Sequence, residues 1–242
     1  MEMLVVISII TLLLAIMSPA LKGAKESARG VKCLSQLSQL GKATDGFTID
    51  NKDRLPGIYG GVWVNPNEQG GGCWLSNPKG PQSAWEAAPQ TGVIWTYAGR
   101  DPALYRCPSL ALGVVGSGVG SNGRFDYSAF HAFAGARITK VPKTATITLL
   151  DYSNQQVRTP WIIEESPWQY LNFGHVEGGF GGGDTIGNWH NGGGNLVSFD
   201  GSAVALRNTN NLSSANFTAK TPKGANVSLA SDASGWGGWE TR

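Results

Sequence analysis

Few side chains in this sequence are equipped for chemistry, and their spacing decides which chemistry is open to them. Cysteines stand at Cys33, Cys73 and Cys107, and histidines at His131, His175 and His190. None forms a CxxC pair or a Cys/His run of zinc-finger spacing, so a metal site of that kind is not expected. Three thiols allow at most one internal disulfide, which an oxidising compartment permits. His190 precedes Asp200 by nine intervening residues, and Gly201 follows. A histidine and an aspartate can act as a proton-transfer pair or as metal ligands. Asp-Gly between apolar runs is also a strong hairpin signal, so the simpler reading makes His190 and Asp200 the structural ends of a hairpin ladder.

Other signatures fail on context. There is no Gly-Lys-Ser/Thr phosphate loop, no His-Glu-x-x-His and no Gly-x-Ser-x-Gly elbow, so the commonest phosphate and hydrolase motifs are missing. Gly118-Val-Gly120-Ser-Asn-Gly123 matches the dinucleotide string, but Arg124-Phe-Asp-Tyr-Ser-Ala-Phe130 after it reads as a strand where a helix is needed. The glycine-rich stretch 174–194 contains Glu177 and Asp184; acids among backbone carbonyls suit calcium, and a surface loop is the plainer reading. Trp161, Trp168, Trp236 and Trp239 lie among Pro, Ser and Gly, where exposed rings would stack on sugars or anchor a partner, although most tryptophans fill cores.

The elements that must position these residues begin with an apolar run. Residues 3–21 carry no charge, a length sufficient to cross a bilayer as a helix. A secretory signal peptide is the alternative, but no Lys or Arg precedes the run. Beyond Pro19, the residues Ala24, Ala28, Val31, Leu34, Leu37 and Leu40 recur at three- and four-residue steps, which predicts an amphipathic continuation. One long helix is expected, kinked or locally melted at Pro19 and Gly23 and ended by Asp45-Gly46. Lys22, Lys25, Arg29, Lys32 and Lys42 face Glu26 alone in residues 22–42, so the remainder is nearly neutral against a net charge of +2. Nothing in that balance points to nucleic acid.

Residues 51–242 read as strands and loops, with 34 glycines in the chain implying many tight turns. Ala145-Thr-Ile-Thr-Leu-Leu150 reads as a buried strand. Asn195-Leu-Val-Ser-Phe199 and Ser202-Ala-Val-Ala-Leu206 read as a hairpin closed by a two-residue Asp200-Gly201 loop. That register sets Val197 opposite Val204 and places Val197, Phe199, Val204 and Leu206 on one face. The expected fold is α+β: residues 1–21 a membrane or filament-core helix, 22–50 its amphipathic continuation, and 51–242 an antiparallel, loop- and glycine-rich β head.

Glu2-Met-Leu-Val-Val-Ile-Ser-Ile-Ile, with Pro19 seventeen residues after the glutamate, resembles the N-terminal segment of type IV pilins and type II secretion pseudopilins. Arg29-Gly-Val-Lys-Cys33 and Asp50-Asn-Lys-Asp-Arg-Leu-Pro56 extend the likeness. So do Leu104-Tyr-Arg-Cys107-Pro108-Ser, Asp126-Tyr-Ser-Ala-Phe130 and Val141-Pro-Lys-Thr-Ala-Thr-Ile-Thr-Leu-Leu-Asp151. His190, nine residues, then Asp200-Gly201 is similar to the motif of the prepilin-processing-associated branch. The resemblance implies a homo-oligomeric filament built through N-terminal helices, with Glu2 and Pro19 in assembly and Glu2 pairing with a neighbouring subunit's N-terminal amine. It implies a basic leader ending in glycine ahead of the glutamate, whose charges would outweigh the basic cluster after the helix and set the head outside the cytoplasm.

Further implications are residence in the inner membrane before assembly and at the cell surface or in the periplasm afterwards, with a prepilin peptidase and the pilus or secretion machinery as partners. No catalytic residue, metal or obligatory cofactor is implied, although some relatives bind calcium. Cys33 and Cys107 both fall in matching segments and Cys73 does not, so Cys33 to Cys107 is the expected disulfide. The alternatives to a structural subunit are an anchored or secreted carbohydrate-binding protein with a tryptophan-rich head, and a secreted enzyme whose first twenty residues are removed.

Overall fold

A computed structural model describes residues 2–58, 72–75, 88–110, 125–141, 143, 146–149, 155–166, 179–180, 184–209, 212, 217–220 and 226–228. The fold is α+β. It begins with one α-helix, α1, spanning Glu2–Asp50, about 74 Å long at 1.5 Å per residue. Pro19 lies inside it and Gly23 is helical too, so the melting expected at these positions does not occur. Proline removes a single ladder bond, and the turns on either side supply the rest.

Two further expectations about α1 are corrected. The helix does not end at Asp45-Gly46 but runs to Asp50. The Tyr97 ring lies against Gly46, where a Cβ would stand 3.1 Å from Tyr97 Cδ1, and the next turn buries Phe47 and Thr48. That burial outweighs the roughly 1 kcal/mol cost of a helical glycine. Termination comes instead from Asn51, whose Nδ2 donates to the Phe47 carbonyl at 2.8 Å, and from Lys52 and Asp53 in left-handed geometry, φ 57° and 61°. The buried stripe is also rotated from the expected one. Cys33, Gln36, Leu37, Leu40, Thr44 and Phe47 face the head, whereas Ala24, Ala28 and Val31 are exposed. Apolar spacing finds an apolar face, but only the position of the head decides which face is covered.

The head holds two sheets. The first has the order β5-β1-β4-β6-β7, from β1 (Tyr127–Phe130), β4 (Pro160–Glu164), β5 (Gly179–Phe180), β6 (Asn195–Ser198) and β7 (Ala203–Ala205). The second runs β3-β2-β8-β9, from β2 (Thr146–Leu149), β3 (Gln156–Arg158), β8 (Phe217–Lys220) and β9 (Asn226–Ser228). Strands lie within both expected stretches, at Tyr127–Phe130 and Thr146–Leu149, with Ala145 and Leu150 outside the described residues. The expected all-antiparallel head is corrected at one edge, where β5 pairs parallel to β1 with Phe180 beside Phe130, so the first sheet is mixed. The two rings pack with centroids 4.9 Å apart and planes tilted by 58°, which anchors that short edge.

The hairpin exists, but its register is one residue from the expected one. Leu196 pairs with Val204 and Val197 with Ala203, so Val197 and Val204 lie on opposite faces. The loop has three residues, Phe199, Asp200 and Gly201, closed by the Gly201 amide on the Ser198 carbonyl at 3.0 Å with Gly201 at φ 84°. This is the type I turn with a left-handed glycine that three-residue hairpins favour. Phe199 decides between the two loops. Its ring packs on Phe133 and Trp161, and its amide donates to the Thr159 carbonyl at 2.9 Å, so it is held in the core and not in the ladder.

Helix α1 lies across β4, β6 and β7. Gly41 allows the close approach: a Cβ there would stand 3.1 Å from Val197 Cγ2. A bulge between Pro160 and Ile162 in β4 turns Trp161 toward the helix, where its Nε1 donates to Thr44 Oγ1 at 3.1 Å. Trp161 is therefore a core residue. Trp168, Trp236, Trp239, Glu177 and His175 lie outside the described residues.

Candidate functional site

Where α1 crosses the end of the first sheet, polar side chains meet in an otherwise apolar interior. Cys33 projects from the buried face of α1, one turn before Leu37. Tyr127 and Glu164 are cross-strand partners in β1 and β4, so both point to the helix side of the sheet. Cys107 follows the short 3-10 helix Pro102–Tyr105. Asp126 positions it, accepting from the Cys107 amide and from Arg106 Nε, both at 2.8 Å. Burial pushes the Asp126 carboxyl up to about 6, against the lowering effect of Arg106. His190 lies in the turn entering β6, held by mutual backbone bonds with Gly193, and packs beside Gly30 of α1, where a Cβ would stand 3.5 Å from its ring.

His190 is the hub. Its Nδ1 lies 3.0 Å from Glu26 Oε1, and its Nε2 lies 2.8 Å from Glu164 Oε1 and 3.4 Å from Cys107 Sγ. The side chain of His190 is 8% exposed and that of Glu164 is 0% exposed. Burial opposes a charge on His190, but its bonds to Cys107 and Glu164 outweigh that and raise it to about 10. The imidazolium form of His190 is thus favoured, with Glu26 on Nδ1 and Glu164 on Nε2. Cys33 donates to Glu164 Oε1 and lies 2.9 Å from the Tyr127 hydroxyl; burial, with Cys107 and Glu164 beside it, drives its thiol far up. Cys107 moves the other way, because bonds with Cys33 and His190 overcome its burial and lower its thiol. Glu26 is lowered despite burial by bonds with Ser109, His190 and Arg29.

Several predicted site residues therefore come together and others do not. Cys33, Cys107 and His190 share one cluster, with Pro108 beside it in the chain. The expected Cys33 to Cys107 pair is brought together, with the two sulfurs within 4.8 Å, and all three cysteines are free in this structure. Cys33 is engaged by Glu164 and Tyr127 and Cys107 by His190, so each sulfur has a polar partner other than the second sulfur. Asp200 and Gly201 lie at the far end of β6, where Asp200 Oδ1 accepts from the Ser202 amide at 2.9 Å and Oδ2 lies 3.9 Å from Arg158 Nε. His190 and Asp200 thus serve different parts of the fold. Glu2 opens α1 and Pro19 lies along its exposed half, both remote from the cluster in the chain.

Sequence reasoning missed Glu164, Tyr127 and Ser109. Glu26 carried a faint signal, as the sole acid among five cations. Glu164 carried another, as a carboxylate closing the apolar run Pro160-Trp-Ile-Ile. The order Cys107, His190, Glu26 has the form of a thiol, a base and an orienting acid, but Cys107 is 3% exposed and Glu164 shares Nε2, so no substrate position opens at the sulfur. Comparison of the chain with protein-family models, curated proteins and solved structures finds no match.

Proposed function

We propose that this protein is a pilin-like structural subunit that polymerises through α1 into a type IV pilus-like or type II secretion pseudopilus filament. The observation carrying this reading is the division of α1. Among the described residues of α1, positions 3–21 have no side chain buried, with Met3 82% exposed, whereas Leu37 and Leu40 are fully buried in the head. The apolar span is about 28 Å long at the helical rise, close to the thickness of a hydrocarbon core. Beyond the span, Ala24, Ala28 and Val31 are also exposed, and Ile49 is 77% exposed, with the exposed positions Lys32, Ser35, Gln39, Lys42 and Asp45 between Val31 and Ile49. Uncovered apolar surface of this extent needs lipid or neighbouring helices against it, and a bundle of α1 helices supplies the second.

In this reading the subunit waits in the inner membrane, a prepilin peptidase processes it, and assembly brings the heads to the outside of the filament. The cluster around His190 fixes the angle of the head on its stem and has no catalytic task. The experiment is electron microscopy of cells making the full chain together with a pilus assembly machinery. Filaments that disappear when residues 1–21 are deleted are expected. A processed, soluble head released without residues 1–21 would instead support a cleaved signal and end the filament reading.

A further inference from the structure

The geometry points to a metal centre: we propose that Cys33, Cys107, Glu164 and His190 bind one zinc ion that clamps α1 to the head. Each residue offers one ligand atom, and the four atoms all lie within 4.8 Å of one another. A tetrahedral zinc ion with bonds of about 2.0–2.3 Å separates its donors by roughly 3.3–3.8 Å. The separation of Cys107 Sγ from His190 Nε2 is 3.4 Å and that of His190 Nε2 from Glu164 Oε1 is 2.8 Å, so side-chain adjustments of less than a bond length close the shell. Two sulfurs, one imidazole and one carboxylate form a donor set that selects zinc over calcium or magnesium.

The surroundings carry the argument further, because each ligand is held from behind. His190 Nδ1 lies 3.0 Å from Glu26 Oε1, the carboxylate partner that fixes the tautomer of a zinc-binding histidine. Glu164 Oε2 accepts from the Asn195 amide at 2.7 Å, leaving Oε1 for the ion. The Ser109 amide donates to Cys107 Sγ at 3.4 Å, a contact that stabilises a thiolate, and the Tyr127 hydroxyl, which donates to Gln36 Oε1 at 3.0 Å, lies 2.9 Å from Cys33 Sγ. Four protein ligands in a buried site leave no open position, so the ion is structural. On binding, the two thiol protons and the proton on His190 Nε2 pass to solvent, and nothing is oxidised or reduced.

The ligands come from α1, the Cys-Pro turn, β4 and the turn before β6, which explains why no short spacing announces the site. The inference does not depend on the filament reading. Its test is zinc content and thiol count of the full chain, made in zinc-supplemented medium and purified in detergent without chelator. About one zinc per chain is expected, with all three cysteines of the sequence recovered as thiols after denaturation in chelator. Cys33→Ser and Cys107→Ser should lose the ion. Cys73→Ser should keep it, since Cys73 Sγ donates to the Ile58 carbonyl at 2.8 Å and stands outside the cluster. Should the ligand variants fail to fold, Glu26→Gln gives a second measurement: zinc affinity reduced about 10- to 100-fold, with the tetrahedral cobalt–thiolate absorption of the cobalt-loaded protein retained. A full chain without zinc, whether its thiols are free or Cys33 and Cys107 are oxidised together, overturns the proposal. So does zinc retained by the Cys33→Ser, Cys107→Ser double variant.

Discussion

Residues 3–21 and 33–48 share the continuous backbone of α1, yet every side chain of the first segment is exposed while the second supplies Leu37, Leu40 and Phe47 to the core. Both are helical, the first despite its Val and Ile and the second despite Gly41 and Gly46, so propensity does not explain which one the head covers. What differs is the spacing of the polar residues. The first segment has only Ser8, Thr11 and Ser18, and Ser8 and Thr11 turn their hydroxyls back to backbone carbonyls of α1 at 2.7 and 2.9 Å; it offers apolar surface all round. The second sets Gln36 and Thr44 among apolar positions, and each meets polar groups of the head: Gln36 Nε2 on the Ala103 carbonyl at 2.6 Å and Oε1 on the Tyr127 hydroxyl at 3.0 Å, Thr44 Oγ1 on Trp161 Nε1 at 3.1 Å. A surface with no polar pattern fits lipid or copies of itself, whereas a patterned one fits a single head.

The largest effect should come from reversing the character of each half. Ile10→Asp places a carboxylate in the middle of the exposed half and should cost roughly 2.5–3.5 kcal/mol of membrane insertion, leaving the unfolding midpoint of the head unchanged. Leu37→Ala should do the opposite, lowering the stability of the head by about 2–5 kcal/mol while the chain still sediments with membranes. Membrane flotation together with urea unfolding reads both. If either variant affects both properties equally, the halves are not independent.

A smaller effect separates the halves by pH. His131 packs against Gly179, and burial pulls it down to about 4; the unfolded histidine titrates near about 6.5. Between these values the unfolded histidine holds a proton that folded His131 lacks, so the contribution of His131 is complete above the upper value and is lost as the pH drops, against an opposite contribution from Asp126 that both the wild type and the variant carry. The loss should reach about 3 kcal/mol by the lower value. Urea unfolding of the wild type and of His131→Asn across this window should show the wild-type curve alone carrying that component, with membrane association unmoved in both.

The smallest change tests a single polar match. Thr44→Val keeps the shape at the helix surface but strands the buried Trp161 Nε1, and should lower head stability by about 1–3 kcal/mol. An unchanged midpoint would mean that apolar packing alone holds α1 to the sheet.

Local signals in the sequence were enough for the long helix, the strands Tyr127–Phe130 and Thr146–Leu149, and the hairpin, because periodicity and turn residues act over a few positions. Three features needed the fold. Gly46 reads as a helix stop until Tyr97 covers it. The hairpin register depends on whether Phe199 joins the ladder or the core, a choice made by Phe133 and Trp161. Cys33, Cys107 and His190 were visible as motif residues, but Glu164 completes their cluster only because β4 pairs with β1 and lies under α1.

The central claim is that residues 3–21 are left uncovered by their own head, and the size distribution of the full chain after detergent removal tests it most directly. The account predicts filaments or large assemblies, against a monodisperse β-rich monomer for a chain beginning at Lys22. A full chain that remains a soluble monomer, with residues 3–21 protected from hydrogen exchange by its own head, would contradict it.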